Sequence, residues 1–433
     1  MTHPRRVVLV GGARTPFTRA FAELMQLDAI DLGVAAVRGL LERTGVPRDA
    51  IDAVVWGGVI LPTHAPNVGR EIVLDLKLDP RIEARTVTRA CASGLQAITD
   101  AAAMIERGDA DVVIAGGGDS TSNAPVQMPA GFVHKVGPVV LRGKSGVMDY
   151  LRLAGKLSVR EDLVPRQPRI AERSTGEVMG EAADKMAERN GISREAQDAF
   201  AVTSHHRAAA AIAAGRFDDE LCAVTTANGT VSADTIVRGD TSIEKLARLR
   251  PAFRKETGTV TAGNASTLTD GAAGVLLMTE ARARALGLTP LAAIRSWAYV
   301  GVDPADQLLM GPALAIPKAL ARAGLTLGEV DRIDLHEAFA AQVLSVVKML
   351  ESDAFGRERL GLRGAVGKVD PARLNVHGGS LALGHPFGAT GARMALTMAH
   401  ELARTGARTA VLGICAAGGL GAAAVLEAVR ADG

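Results

Sequence analysis

The feature that most constrains this chain is an alternation: short runs rich in valine and isoleucine are separated by alanine-rich stretches whose apolar residues recur at helical spacing. Strands alternating with helices in this way fit βαβ units and a largely parallel sheet covered by helices. Residues 6–10, 53–59, 86–89 and 111–115 read as strands. Between them, residues 31–44 place Val34, Val37, Leu40 and Leu41 on one helical face and stop at Gly45, and Ser93–Arg107 stops in the same way at Gly108. After Thr279 the pattern returns, with strands at 291–300, Arg332–Leu335, 373–376 and 409–414 and helices at 312–323 and 389–404. The chain thus reads as two related halves, 1–121 with 250–280 and 281–433, interrupted by an insertion at 122–249. The insertion opens on a Pro/Gly-rich basic stretch carrying Lys135, Arg142, Lys144, Arg152, Lys156 and Arg160, then continues as helices over 175–189 and 193–214.

Size and composition agree with this division. At 433 residues the chain exceeds what one hydrophobic core normally supports. It is 48% hydrophobic but only 3% aromatic, with 48 glycines, which is the balance of an α/β enzyme with an aliphatic core. The 49 basic and 47 acidic residues nearly cancel to +2, so no global field argues for a nucleic-acid partner. Three cysteines, Cys91, Cys222 and Cys415, are an odd number in a long chain and fit a reducing compartment. The N-terminus has no apolar stretch suited to a secretory signal, and no run is long enough to span a membrane, so a cytoplasmic location is expected.

Several short segments could carry chemistry. Cys91 lies in T-V-T-R-A-C-A-S-G-L, where a β-rich run gives way to a helix, and a helix N-terminus favours a thiolate. On this segment alone a buried structural cysteine is an equal alternative. His385 lies in G-G-S-L-A-L-G-H-P-F-G-A-T-G, a glycine-dense loop that could present an imidazole to a cysteine nucleophile, or simply a turn histidine before Pro386. Cys415 in G-I-C-A-A-G-G-L-G is likewise undecided by itself. His336 and Glu337 open H-E-A-F-A at the C-terminal end of a strand, where α/β sheets place ligands. Residue 340 is alanine, so the H-E-x-x-H zinc pattern fails and no metal is expected.

Other patterns carry less. Gly143-Lys144-Ser145 lacks the leading glycine of a phosphate loop and reads as a turn, and Gly116–Gly118 lack dinucleotide spacing. Asn264-Ala265-Ser266 is a sequon without an export signal, and His205 with His206 sits mid-helix, where both are expected to face solvent.

Taken jointly and in order, C-A-S-G at Cys91, H-E-A-F-A at His336, G-H-P at His385 and C-A-A-G-G-L-G at Cys415 resemble the thiolase family. The stretches R-P-A-F from Arg250 and G-T-V-T-A-G-N-A-S-T-L-T-D-G-A-A from Gly258 extend the resemblance over nearly the whole chain. It implies an α/β thiolase fold, two similar halves in a five-layer αβαβα arrangement with an inserted loop domain covering CoA. It further implies a nucleophile at Cys91, its activating base at His385, a second acid/base at Cys415, and a polarising His336. The oxyanion amides would be those of Cys91 and Ala417, and Ser266 and Met179 would border the pantetheine of CoA.

The same resemblance implies coenzyme A as substrate and no cofactor. Histidine at 336, where many relatives carry asparagine, and Ala416-Ala417-Gly418 in place of C-x-G-G-G are similar to the thiolase subunit of trifunctional β-oxidation complexes. So is S-T-G-E-V-M-G-E from Ser174. That points to cleavage of 3-ketoacyl-CoA, with acyl-CoA and CoA as ligands, a homodimer or dimer of dimers, and a hydratase/dehydrogenase α subunit as a candidate partner. The alternatives are a biosynthetic acetyl-CoA acetyltransferase and an inactive acyl-CoA scaffold. A decarboxylating ketosynthase is disfavoured by Cys415. The basic segment 124–163 is read as a lid, with a membrane-surface or partner-docking element as the alternative.

Overall fold

The computed structural model describes residues 5–141, 143, 145–166 and 171–429. Its frame is β1 (Val7–Arg14), β2 (Ala53–Gly57), β3 (Glu83–Val87), β4 (Val112–Ser120), β5 (Thr269–Thr279), β6 (Ala292–Gly301), β7 (Arg332–Leu335), β8 (Thr409–Ala416) and β9 (Leu420–Ala428). The helices that matter to the site are α1 (Ala29–Thr44), α2 (Ser93–Arg107), α3 (Met179–Asn190), α4 (Arg194–Ala213), α5 (Gly311–Ala323), α6 (Ala340–Leu350) and α7 (Thr390–Thr405).

The strands run in the order β7-β8-β9-β6-β1-β5-β4-β2-β3. This order is the same five-position plan laid down twice. In the first half β2 pairs in parallel with β3 and β4, while β5 lies antiparallel between β4 and β1. In the second, β7 pairs in parallel with β8, while β9 lies antiparallel between β8 and β6. Residues 373–376 take the place that β3 has in the first half, but they make only a parallel bridge, Ile333 to Leu374. The halves join where β1 meets β6 at Val8↔Ala293 and Leu9↔Ala292.

The expected largely parallel sheet is therefore a mixed one. The difference comes from β5 and β9, which read T-D-G-A-A-G-V-L-L-M-T and L-G-A-A-A-V-L-E-A. Their alanines and glycines lack the β-branched signature, yet small residues are what closely packed central strands accept. A Cβ on Gly116 would stand 2.3 Å from the Ala273 carbonyl, one on Gly117 2.2 Å from the Gly388 carbonyl, and one on Gly118 2.7 Å from the Ala272 Cβ. The Gly116–Gly118 run is a packing requirement.

Alternating strand side chains build the layers. Val8, Val54, Trp56, Val112, Ile114 and Leu276 face outward and bury against Val37 and Leu40 of α1. The opposite residues, Val7, Leu9, Val55, Val113 and Val275, face α2 and α7 together with Ala410, Leu412, Ala422 and Ala424 of the second half. The outer face of that half, with Val411, Ala423 and Val425, is covered by α5, α6 and α3. Helix, sheet, helix pair, sheet and helix make the five layers of the αβαβα fold. Each fully buried Leu, Ile or Val side chain contributes about 1.5–3 kcal/mol to holding them together.

Helix ends follow local chemistry. Asp28 accepts from the Ile30 and Asp31 amides and Asp31 answers to the Asp28 amide, while Gly45 at φ 64 closes α1. The helix expected from residue 175 begins instead at Met179. A turn closed by the Glu172 amide to the Glu177 carbonyl (2.7 Å) precedes it, and Glu181 accepts from the Val178 amide at 3.0 Å. His205 and His206 differ from their expected common exposure. His206 is exposed, whereas His205 is fully buried, accepts from the Arg238 amide at Nδ1 (3.1 Å), and is pushed by burial to a pKa of about 4.

The described residues pack as two compact units, 5–123 with 171–429, and 124–166. The smaller unit is built on helices Ala130–Val140 and Val147–Ala154. Lys135 Nζ and the Ser158 amide both donate to Asp162 Oδ2, at 2.7 and 2.8 Å. It leaves Leu141 (86%), Val147 (76%) and Val159 (72%) exposed. Arg142 and Lys144, expected in its basic stretch, lie outside the described residues.

Candidate active site

Cys91 sits on a tight turn between β3 and α2. Ala90 before it holds φ 45, a left-handed conformation that costs a non-glycine residue about 1–3 kcal/mol and persists only where neighbours enforce it. The enforcing group is Ser93, whose Oγ accepts from the Arg89 amide (2.7 Å) and donates to the Ala90 carbonyl (2.7 Å). Arg89 is fixed in turn against the Tyr299 ring at 4.4 Å and by Gln96 at 2.6 Å.

His336 follows β7 directly, its amide donating to the Gly413 carbonyl of β8 at 2.8 Å. His385 lies on the loop before α7, its amide donating to Thr269 Oγ1 at 3.0 Å. The fold brings the two imidazoles to 4.1 Å between centroids, and one donor atom each of Cys91, His336 and His385 falls within 4.8 Å of the others. Each ring is held the same way. His336 Nδ1 meets Ser380 Oγ at 3.0 Å and His385 Nδ1 meets Thr390 Oγ1 at 2.7 Å. Both Nε2 atoms are buried with no hydrogen-bond partner among the described residues, which is the arrangement of groups kept free for a ligand.

Cys415 is the next-to-last residue of β8, paired with Gly421 of β9, and is 1% exposed. It is close enough that charge on Cys91 raises its pKa further. After it the chain turns through Gly418 (φ 83) and Gly419 (φ 67), conformations glycine adopts without strain. This turn directs the Ala417 amide at the Cys91 sulfur, and the Cys91 amide converges on the same atom. Glu172 clamps the turn by accepting from the Gly418 amide at 2.8 Å.

Ser266 and Met179 lie beside the segment that follows His336. The Ser266 amide donates to the Ala338 carbonyl at 2.9 Å, and Met179 packs on the cluster containing Phe253, Ala265 and Phe339. The neighbouring sequon is closed to glycans, since Asn264 is fully buried and donates to Asp198 at 2.8 Å.

The electrostatics reverse one expectation. Proximity to a helix N-terminus favours a Cys91 thiolate, but enclosure of the sulfur outweighs it and pushes the thiol up to about 12, against the two amides that pull it down. Burial also lowers His385 to about 3, with Arg393 adding to the effect, and carries His336 well below its ordinary value, with His385 and Arg393 adding to it. The resting site is a neutral thiol beside two neutral imidazoles. Because the folded thiol pKa lies above that of a free cysteine, its thiolate fraction at pH 8 is smaller and grows as pH rises toward 12. Alkylation of Cys91 by iodoacetamide in the free enzyme is therefore expected to be slow at pH 8 and still accelerating at pH 10. A rate that levels off below pH 8 would contradict this.

Some positioning groups carried no sequence signal of their own. Asn375, at φ 46, spans His336 by accepting from the Leu335 amide (2.7 Å) and donating to the Leu335 carbonyl (2.9 Å) and Glu337 (2.7 Å). Glu337 is itself buried, held by Ser204 at 2.6 Å and the Leu381 amide at 3.2 Å. Asp119 accepts from the amides of Val59 (2.9 Å), Ile60 (2.5 Å) and Gly388 (2.7 Å), tying the His385 loop to the end of β2. Burial pushes its carboxyl up to about 7 despite those donors. Replacing Asp119 by asparagine removes acceptor capacity and loosens that loop. We expect roughly 10- to 100-fold lower kcat, since displacements of about an ångström cost that much. An unchanged kcat would show that Asp119 does not position the loop.

The family model for the thiolase N-terminal domain matches residues 7–281 and that for the thiolase C-terminal domain matches residues 288–428. A 3-ketoacyl-CoA thiolase of Escherichia coli O1:K1 / APEC is 45% identical over 427 residues, covering 98% of this chain and 97% of the relative. One from Yersinia pestis (strain Pestoides F) is 44% identical over 424 residues, with the same coverage. Among solved structures, a Bacillus anthracis acetyl-CoA acetyltransferase superposes with a TM-score of 0.84 at 33% identity, covering 99% of this chain and 100% of its own. Human mitochondrial 3-ketoacyl-CoA thiolase gives 0.82 at 31%, covering 98% and 99%. With two half-sheets of one plan, a cysteine from the first half gathered with two histidines from the second, and both family models matched, the chain belongs to the thiolase family.

Proposed function

We propose that this chain is a 3-ketoacyl-CoA thiolase, an acyltransferase that cleaves 3-ketoacyl-CoA with CoA to acetyl-CoA and a shortened acyl-CoA. The observation that carries the mechanism is the pair of unpartnered imidazole Nε2 atoms grouped with the Cys91 sulfur within 4.8 Å.

In this mechanism the two rings take different tasks. Arg393 donates to Ser380 Oγ at 3.5 Å, leaving the Ser380 hydroxyl hydrogen for His336 Nδ1. That places the His336 proton on Nε2, where it can donate to an enolate oxygen. For His385 the mechanism uses the tautomer with its proton on Nδ1, directed at Thr390 Oγ1, which leaves Nε2 free to accept a proton. Cys91 then attacks carbon 3 of the substrate as its proton passes to His385 Nε2, and the Cys91 and Ala417 amides receive the oxyanion. The carbon 2–carbon 3 bond breaks toward carbon 2. The resulting acetyl-CoA enolate is held by His336 and protonated on carbon 2 by Cys415. In the second half, the CoA thiol gives its proton to the Cys415 thiolate and attacks the Cys91 thioester. Cys91 leaves and recovers its proton from His385. Coenzyme A enters as a substrate, and these steps use only side chains and backbone amides.

Thiolysis of a ten-carbon 3-ketoacyl-CoA by the purified protein tests this reading, and absence of CoA-dependent cleavage for every chain length would reject it. The biosynthetic direction uses the same residues, and the similarity to an acetyl-CoA acetyltransferase structure keeps it as the second reading. A higher kcat/KM for acetoacetyl-CoA than for longer substrates would favour it. We further propose a homodimer or dimer of dimers, an associated hydratase/dehydrogenase subunit, and a cytoplasmic location. Co-purification from the host tests the partner. Among the described residues no helix is long and apolar enough to cross a membrane.

A further inference from the structure

The same geometry that suits acyl transfer also meets the requirements of a transition-metal site. A soft divalent cation needs a thiolate and imidazole nitrogens converging on one point, with the imidazoles oriented through their other nitrogen. Cys91, His336 and His385 offer one sulfur and two nitrogens within 4.8 Å of one another. Both Nε2 atoms are buried and unpartnered, on residues 0% and 5% exposed, and both Nδ1 atoms are already anchored by hydroxyls. A tetrahedral zinc ion with bonds of about 2.0–2.3 Å would draw its ligands to about 3.3–3.7 Å apart. The observed spacing reaches that with a closure of about an ångström. The failed H-E-x-x-H pattern excluded only a second ligand on the same helix, whereas here the second histidine comes from a different loop.

We propose that Cys91, His336 and His385 form a three-ligand binding site for zinc-class divalent cations, and that its occupancy inhibits the enzyme by taking the nucleophile. Binding replaces the Cys91 thiol proton by the metal, releasing that proton to solvent; His336 moves its proton from Nε2 to Nδ1, where the Ser380 hydroxyl turns to accept it, and a fourth position is left open to water. The inhibitory consequence rests on the acyl-transfer reading, whereas the binding itself does not.

The test is therefore made without substrate, and without CoA, whose own thiol binds zinc. Purified full-length protein is titrated with Co2+, reading the sulfur-to-cobalt charge-transfer absorption, and then with Zn2+ to displace it. One equivalent giving a charge-transfer band that zinc abolishes is expected. In Cys91→Ser the band should vanish, and zinc affinity should fall by at least the roughly 100-fold that loss of even an outer-shell partner can cost. Cys222→Ser should leave both unchanged. Alkylating Cys91 in the otherwise intact protein gives the same loss without any substitution, which guards against misfolded variants. Zinc binding of equal strength before and after Cys91 is blocked, or no band at all, would overturn the proposal. Thiolysis measured separately in the presence of EDTA reports on the acyl-transfer reading alone.

Discussion

Replacing Cys91 by alanine is expected to lower kcat/KM for 3-ketoacyl-CoA cleavage by roughly ten-thousand-fold or more, because covalent capture is lost and neither imidazole can substitute for it. Binding should survive. The amides of Ala417 and residue 91 belong to the backbone, and the 90–93 turn is enforced by Ser93 rather than by the thiol. KM should therefore change far less than kcat. A small cavity replaces the sulfur, so the variant should keep nearly the melting temperature of the parent. A variant retaining a tenth of the parent activity would mean that another group accepts the acyl chain.

Cys415→Ala tests the second thiol and has a different signature. The thiol is buried and pushed well above its ordinary pKa, so at neutral pH it holds its proton and can deliver it to carbon 2 of the departing enolate. Its loss should cost about 100- to 10,000-fold in kcat, the usual span for removing a general acid. Exchange of the acetyl-CoA carbon 2 hydrogens with deuterated water should be lost with it. Acylation of Cys91 by a simple acyl-CoA forms no enolate and can expel CoA as a thiolate without Cys415, so it should be slowed far less than cleavage. Exchange at the parental rate in Cys415→Ala would place the carbon 2 proton elsewhere.

How much of this was legible in the sequence depended on the kind of signal. Strands with β-branched residues on both faces, such as β2 and β4, and helices closed by glycine, such as α1 and α2, were readable because propensity and burial agree there. The strands β5 and β9 were not, since alanine and glycine occupy them for reasons of close approach to neighbours distant in sequence. That omission hid the antiparallel component of the sheet. At the site, Cys91, His336, His385 and Cys415 stood out only as an ordered set, because each alone fits an ordinary structural cysteine or histidine.

The groups that hold them were harder to see. Ser380 and Thr390 lie inside the glycine-rich stretch around His385, and their pairing with two different imidazoles depends on the fold. Asn375, Asp119 and Glu172 act on backbone amides, a role that leaves no residue-type pattern. The ionisation of Cys91 was misjudged from sequence for a related reason. A helix terminus can be read from local residues, whereas the enclosure that outweighs it is contributed by the chain as a whole.

If Cys91 carries the acyl group, the acyl-enzyme can be trapped on it. Protein mixed with a 3-ketoacyl-CoA in the absence of free CoA, quenched in acid and digested, should release about one equivalent of acetyl-CoA. The mass of the shortened acyl chain should appear on the peptide containing Cys91, and added CoA should remove it. An acyl mass on another residue, or acetyl-CoA released with no adduct on Cys91, would contradict the account.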